Sequence, residues 1–99
     1  MKKFEVVTSD EAMEDADLVY DYICNTVIAP LTAARYYQGL ISTMRNLGLN
    51  ADGRAEDLFL SAKYGRPTRR VNHKKYAIIY FIEGDKVIVH RVIPQKMVK

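Results

Sequence analysis

The sequence contains one segment, residues 76–82, that is apolar on both of its faces. A strand with this pattern lies at the centre of a sheet. After it come Glu83 to Lys86, where Gly84 can adopt the positive φ of a tight turn, and then residues 87–93, a second apolar segment that Pro94 ends. We therefore predict a central antiparallel pair of strands, preceded by a strand over residues 69–73.

Two apolar stripes at helical spacing precede these strands. Residues 3–7 alternate as in a short strand, and Thr8 with Glu11 has the spacing of a capping box. The first stripe then follows at intervals of three or four residues: Ala12, Ala16, Val19, Ile23 and Val27. Pro30 is expected to end this helix.

A second helix is predicted to open near Thr32 and to stop at Gly48, a residue suited to the left-handed conformation of a C-cap. Its stripe consists of Ala33, Tyr37, Leu40, Met44 and Leu47. The short connection between the two helices predicts an antiparallel hairpin. Residues 49–68 are less regular, with one or two helical turns expected around Leu58 and Phe59.

These elements predict one α+β domain over residues 1–99, in two layers and in the order β-α-α-β-β-β. The helix hairpin would pack on one face of a mainly antiparallel sheet. The opposite face, or its rim, would display polar and basic side chains and so remain available for function.

Positive charge is concentrated in the second half of the chain. The net charge is +3, but residues 51–99 carry eleven basic and five acidic side chains, a balance of +6. Six basic residues lie between Asp57 and Glu83 without an acid among them: Lys63, Arg66, Arg69, Arg70, Lys74 and Lys75. Such a block favours polyanions, although a solvated surface explains the charge equally well.

Several classes of protein do not fit the composition. Cys24 is the one cysteine, so neither an internal disulfide nor a cysteine zinc site can form. The glycines are scattered and form no phosphate loop, and His73 and His90 are not at metal-ligand spacing, so we predict no metal and no cofactor. No apolar run is long enough to cross a bilayer, and a cytoplasmic protein without a membrane partner is expected.

The basic block contains the residue types needed to cut RNA without a metal. That reaction requires an acid–base group, for which His73 is the candidate, and cations that hold the phosphate. Alternation along a strand places Arg69 and His73 on one face and Arg70 and Lys74 on the other, so they converge only through a bulge or a turn.

Three residues outside that strand have two interpretations each. Arg91 is either a phosphate clamp or one partner of a surface salt bridge. Tyr64, beside Gly65, either stacks on a base or packs at the rim of the core. His90 alternates with Ile88 and Val92, which favours a buried or half-buried side chain over a site residue.

The chain resembles the RelE/ParE group of small bacterial toxins. The segments that carry the resemblance are SDEA at residues 9–12, LVYDYI at 18–23, AAR at 33–35, Leu47 with Gly48, Arg70 with Val71, YAIIY at 76–80 and KVIVHRVI at 86–93. The resemblance implies the toxin of a type II toxin–antitoxin, or plasmid stabilization, module that a cognate antitoxin neutralises. RelE-like members cleave mRNA on the ribosome, whereas ParE-like members poison DNA gyrase without being nucleases.

The resemblance assigns roles that differ between the two subgroups. In the nuclease version, the catalytic candidates are His73, Arg70 and Lys96, and the candidates for binding RNA are Arg69, Lys74, Lys75, Arg91 and Tyr64. Two departures from the nuclease pattern are Ala77, where an arginine is common, and the absence of a tyrosine after the last strand.

In the gyrase version no residue does chemistry, and the helix hairpin or the carboxyl-terminal tail makes a protein contact. A non-catalytic interaction domain or decayed toxin is the alternative function. The sequence leaves the choice between a monomer and a homodimer open.

Overall fold

The computed structural model describes residues 3–26 and 28–98. Its helices and strands, in chain order, are β1 (Glu5–Thr8), α1 (Asp10–Asp21), α2 (Pro30–Asn50), α3 (Leu58–Tyr64), β2 (Arg69–His73), β3 (Tyr76–Glu83) and β4 (Lys86–Pro94). A π-helical turn, Tyr22–Thr26, follows α1, and short 3-10 turns follow α2 (Ala51–Gly53) and β4 (Gln95–Met97).

The four strands form one mixed sheet in the order β1-β4-β3-β2. The pairs β2–β3 and β3–β4 are antiparallel, and β1 runs parallel to β4. The two apolar strands β3 and β4 are therefore central, and Gly84 takes a φ of 61° in the turn between them. The predicted α+β class with a mainly antiparallel sheet is confirmed.

The helix hairpin buries its two stripes against one face of the sheet. Ala12, Ala16, Leu40 and Met44 belong to this main core, together with strand residues such as Val89. Tyr80 also lies in it, and its hydroxyl donates a 2.7 Å hydrogen bond to the Ala51 carbonyl. Both predicted stripes are thus confirmed, except for Val27, which lies outside the described residues.

Two predicted helix ends are wrong. Ser9, not Thr8, caps α1, because its Oγ accepts a 3.1 Å hydrogen bond from the Ala12 amide. Gly48 lies inside α2, which runs from Pro30 to Asn50. Its carbonyl accepts a 2.8 Å hydrogen bond from the Phe4 amide, and a Cβ at position 48 would lie 3.1 Å from the Phe4 carbonyl oxygen. The glycine therefore allows β1 to approach the helix closely, rather than ending it.

A second, smaller core covers part of the opposite face of the sheet. Leu60 of α3 and Val98 pack there on Ala77 and Ile79 of β3, and all four side chains are buried. The prediction that this face would display polar and basic side chains is wrong at its centre, because the irregular connection supplies an apolar cover. Helical turns form there as predicted, but around Leu60.

The ends of α3 are defined by its own sequence. The Asp57 carboxylate accepts a 2.9 Å hydrogen bond from the Leu60 amide, and Gly65 closes the helix in the left-handed conformation with φ 71°. Leu58, expected to anchor these turns, is 82% exposed, and Phe59 is exposed as well.

Candidate functional site

Four arginines of the basic half lie beside carboxylates. Arg66 is 3.4 Å from Glu83, Arg69 is 3.9 Å from Glu56, Arg70 is 3.6 Å from Asp57 and Arg91 is 2.7 Å from Asp15. Their partners come from α1, from the segment before α3 and from the end of β3. Much of the positive charge that the sequence places in this half is therefore matched locally.

Arg91 lies next to a β-bulge in β4. Tyr80 pairs with Val89 and Ile79 with Arg91, so His90 is the additional residue. Asp15 of α1 accepts hydrogen bonds from Arg91 Nε at 2.7 Å, from its Nη2 at 3.1 Å and from the Val92 amide at 2.9 Å. These hydrogen bonds to Asp15 raise the pKa of the Arg91 guanidinium. Of the two interpretations of Arg91, the structure shows the salt bridge.

His73 faces the helix hairpin and not an open groove. Its ring packs edge-on to Tyr36, with ring centroids 5.3 Å apart, and a Cβ added at Gly39 would lie 2.7 Å from its Nε2. Nδ1 lies 3.4 Å from the Thr43 hydroxyl. Nε2 is buried, and no described residue forms a hydrogen bond with it. Burial, and then the charge of Lys74, lower the pKa of His73.

Tyr64 lies on the opposite face of the sheet. Its ring packs edge-on to His90 at 5.0 Å and to Phe81 at 6.1 Å. His90 is half-buried in this cluster, as predicted. The guanidinium of Arg66 lies 4.2 Å from the Phe81 ring centroid. A base that stacked on Tyr64 would have to share this occupied cluster.

A groove lies at the end of the sheet where β2 turns into β3. It has a volume of about 710 Å³, and we call it the lysine–tyrosine groove. Its lining residues are Tyr22, Lys74, Lys75, Tyr76, Pro94, Gln95 and Lys96. The sequence had singled out all three lysines of this set, although it placed them with His73 and Arg70.

The groove is framed by the two-residue turn between β2 and β3. Lys74 takes a positive φ of 54° there, the conformation that such a hairpin turn requires. The Gln95 amide donates a 2.8 Å hydrogen bond to the Lys75 carbonyl, and the Gln95 side chain donates one to the Lys74 carbonyl. Pro94 pairs with Tyr76 at the end of the sheet. The turn and the segment that follows β4 are thereby held together.

The charges of this groove are not matched by acids. Within residues 3–26 and 28–98, no carboxylate oxygen lies within 4.0 Å of Lys74, Lys75 or Lys96. The Lys74 ammonium lies 5.2 Å from the centre of the Tyr36 ring. A tyrosine is protonated at neutral pH, and burial raises the pKa of the Tyr76 hydroxyl further. The groove therefore offers three cations and a phenol donor.

Tyr22 is a groove residue that the sequence did not identify. It begins the π-helical turn after α1 and is 55% exposed, although its position beside the first stripe indicates packing at the rim of the core. Only the three-dimensional arrangement brings it next to lysines more than fifty residues away in sequence. The sequence contains no signal for this proximity.

The residues that the structure describes bear on metal binding and on membrane crossing. No group of three or more histidine, cysteine, aspartate or glutamate side chains there could hold a metal ion. None of its helices combines the length and apolar character that crossing a membrane requires.

A family model and a solved structure that match this chain agree with each other. The family model described as "ParE toxin of type II toxin-antitoxin system, parDE" matches residues 6–99. A solved structure of the chromosomal ParDE TA system from P. aeruginosa has a similar fold, with a TM-score of 0.76 over 93% of this chain and 96% of that chain. Its sequence identity is 16%, so this likeness concerns the fold. No curated protein sequence matched the chain.

Proposed function

This chain belongs to the ParE toxin family of type II toxin–antitoxin systems, and from that premise we propose that it blocks growth by binding DNA gyrase without cutting RNA. A cognate antitoxin of the ParD type is its partner within the module. The action would take place in the bacterial cytoplasm, where gyrase and the antitoxin are found.

The observation that carries the proposal is the separation of the three catalytic candidates. His73 pairs with Tyr76 in the sheet and faces the helix hairpin. Arg70 pairs with Ile79, whose side chain belongs to the core on the opposite face, and its guanidinium is beside Asp57. Lys96 lines the lysine–tyrosine groove. An acid–base group and its phosphate-binding cation have to reach the same phosphodiester, and these three side chains lie in three different surroundings.

Access to His73 supports the same conclusion. A general base has to come within hydrogen-bonding distance of the proton that it removes. The Nε2 atom of His73 packs against Gly39 of α2, and its Nδ1 atom faces the Thr43 hydroxyl of the same helix. A ribose hydroxyl could reach the buried Nε2 only if α2 moved away from the sheet.

The helix hairpin offers a surface for a protein contact. Leu18 of α1 is 65% exposed, and Ile28 and Leu31, where α2 begins, are 81% and 66% exposed. Exposed apolar side chains on both sides of the connection between two helices are typical of a surface that binds another protein. We assign the gyrase contact to this surface, defined by Leu18, Ile28 and Leu31, and call it the hairpin tip.

A supercoiling assay tests the proposal. Purified toxin, released from its antitoxin, is added to gyrase and relaxed plasmid, and cellular RNA is followed during expression of the toxin. We expect supercoiling to fall and mRNA to stay intact, and we expect the antitoxin to restore supercoiling. Cleaved mRNA together with unimpaired supercoiling would overturn the proposal in favour of a nuclease.

Two sets of variants sharpen this assay. His73→Asn and Arg70→Gln should keep gyrase inhibition, because neither side chain lies at the hairpin tip. Leu18→Ser with Leu31→Ser should lose at least about tenfold in potency, since apolar residues at the centre of an interface contribute most to binding. Leu49→Ser, an exposed leucine at the far end of α2, is the matched control and should inhibit normally.

A further inference from the structure

We propose that the lysine–tyrosine groove binds a nucleoside phosphate with an unpaired base, as found in a free nucleotide or in single-stranded nucleic acid. None of Leu18, Ile28 and Leu31, the residues of the hairpin tip that we assign to gyrase, lines the groove, and the proposal goes beyond that contact. It is based on the charge, the aromatic rings and the size of the groove.

The charge of the groove is unmatched, unlike that of the arginines around it. Lys74, Lys75 and Lys96 line one volume, and no described carboxylate lies within 4.0 Å of them. Ammonium groups held close together repel one another and gain by sharing an anion. Each of these lysines can donate a hydrogen bond to a non-bridging phosphate oxygen, either of one free nucleotide or of successive phosphates along a strand.

The tyrosines of the groove supply a surface for a base. Tyr22 is 55% exposed and lines the groove, so its side chain is accessible to a ligand there. Tyr76 is half-buried and held edge-on by Tyr36, with ring centroids 5.9 Å apart. Stacking of a base on a protein aromatic tolerates any base, because every base has a π-face.

The size and the frame of the groove suit a small ligand. Its volume of about 710 Å³ lies within the range of small-molecule sites. The hydrogen bonds from Gln95 to the Lys74 and Lys75 carbonyls, and the pairing of Pro94 with Tyr76, fix the backbone on both sides of it. The backbone around a bound ligand is therefore already fixed, which lowers the entropic cost of binding.

These features favour a nucleoside phosphate over an acidic peptide. Lysine ammonium groups bind phosphates and carboxylates alike, so the choice between the two ligands depends on the aromatic rings of the groove. A peptide carboxylate makes no use of the exposed Tyr22 ring. A duplex hides the faces of its bases, so the chemistry of the groove points to an unpaired base.

Fluorescence anisotropy of the purified toxin with a labelled, short oligothymidylate at low salt tests the proposal. The variant Lys75→Gln/Lys96→Gln should bind about tenfold more weakly, since two phosphate contacts are lost. Tyr22→Leu should also weaken binding about tenfold through lost stacking. Arg66→Gln/Arg70→Gln removes the same two charges and is the matched control, expected to change binding less than about twofold because both arginines already pair with acids.

Competitors identify the source of the ligand. Displacement of the oligothymidylate by adenosine monophosphate indicates a free nucleotide, whereas displacement only by unlabelled oligonucleotide indicates a strand, and either supports the proposal. Equal displacement by poly-glutamate, or an equal loss of binding in the arginine control, overturns it. So does an absence of binding by the wild-type toxin.

Two controls keep this result separate from the gyrase proposal. Thermal unfolding of each variant checks that it folds, and the single variants Lys75→Gln and Lys96→Gln replace the double variant if it does not. Leu18→Ser/Leu31→Ser should bind the oligothymidylate like the wild type, because neither leucine lines the groove. Loss of gyrase inhibition with intact oligonucleotide binding, or the reverse, therefore shows which proposal fails.

Discussion

The arginines around the bulge and α3 and the lysines at the end of the sheet carry the same charge in different surroundings. Arg70 and Arg91 lie beside Asp57 and Asp15, and each pair joins two elements of the fold. Lys75 and Lys96 lie in a groove with no described acid within 4.0 Å. The first region therefore uses its cations to hold the structure together, and the second leaves them available to a ligand.

The difference follows from the chemistry of the two side chains and from the topology. A guanidinium can form two parallel hydrogen bonds to one carboxylate, as Arg91 does with Asp15. Asp15 is in α1, seventy-six residues before Arg91, and the fold brings them together. A basic block in a sequence therefore does not show which of its charges are free.

The largest expected effect concerns the small core that Leu60 forms on the face of the sheet opposite the helix hairpin. Leu60→Ala removes a fully buried side chain from the small core and should lower the free energy of unfolding by about 3 kcal/mol. Urea unfolding measures it, and Leu58→Ala, on an 82% exposed leucine of the same helix, should change stability by less than about 0.5 kcal/mol. Equal effects of the two variants would show that α3 does not cover the sheet as described.

The next effect concerns the ion pair at the bulge. Asp15→Asn should cost about 2 kcal/mol, because the Asp15 side chain is 12% exposed and accepts hydrogen bonds from Arg91 and Val92. Glu11→Gln is the control, since its carboxylate lies 4.0 Å from the same guanidinium and is largely exposed, and it should cost less than about 0.5 kcal/mol. If Asp15→Asn costs no more stability than Glu11→Gln, the ion pair between Asp15 and Arg91 does not stabilise the fold.

A third variant probes the contact between His73 and α2, beside the groove. Gly39→Ala should destabilise the protein by about 1–2 kcal/mol, because the new Cβ would lie 2.7 Å from the imidazole ring. The second substitution His73→Ala should restore part of that loss by removing the clash. A double-mutant cycle followed by thermal unfolding measures this coupling, and additive effects would contradict the packing.

The smallest effect is a pH dependence from the same histidine. Its pKa is lowered in the folded state by burial and by Lys74, so the unfolded chain binds the proton more tightly. Stability contributed by neutral His73 is therefore complete above the unfolded pKa of about 6.5 and is lost as the pH falls below it. Unfolding at a series of pH values should show this loss in the wild type and in His90→Gln but not in His73→Gln. If the free energy of unfolding depends on pH in the same way in all three proteins, other groups cause the pH dependence.

The sequence predicts more of the fold than of the candidate site. The two helical stripes and the strand pair around Gly84 are local patterns, and the structure reproduces them. The parallel pairing of β1 with β4, the cover that Leu60 provides and the use of Gly48 as a close-approach residue depend on contacts between distant elements. Sequence spacing carries no information about such contacts.

The same limit applies to the candidate site. Lys74 and Lys75 were identified because they belong to a basic block, and Lys96 because the resemblance assigns it a role. Tyr22 was missed because it begins the π-helical turn after α1 and reaches the groove only through the packing of the hairpin on the sheet. Residue type predicted the cations, and the fold determines which of them share a surface.

The salt dependence of oligothymidylate binding tests the division between matched and free cations most directly. The logarithm of the affinity should fall with the logarithm of the salt concentration with a slope of about −2, as expected for three lysine–phosphate contacts on a single strand. In Lys75→Gln/Lys96→Gln the slope should fall to about −0.7, and in Arg66→Gln/Arg70→Gln it should keep its wild-type value. An unchanged slope in the lysine variant, or an equal reduction in both variants, would contradict the account.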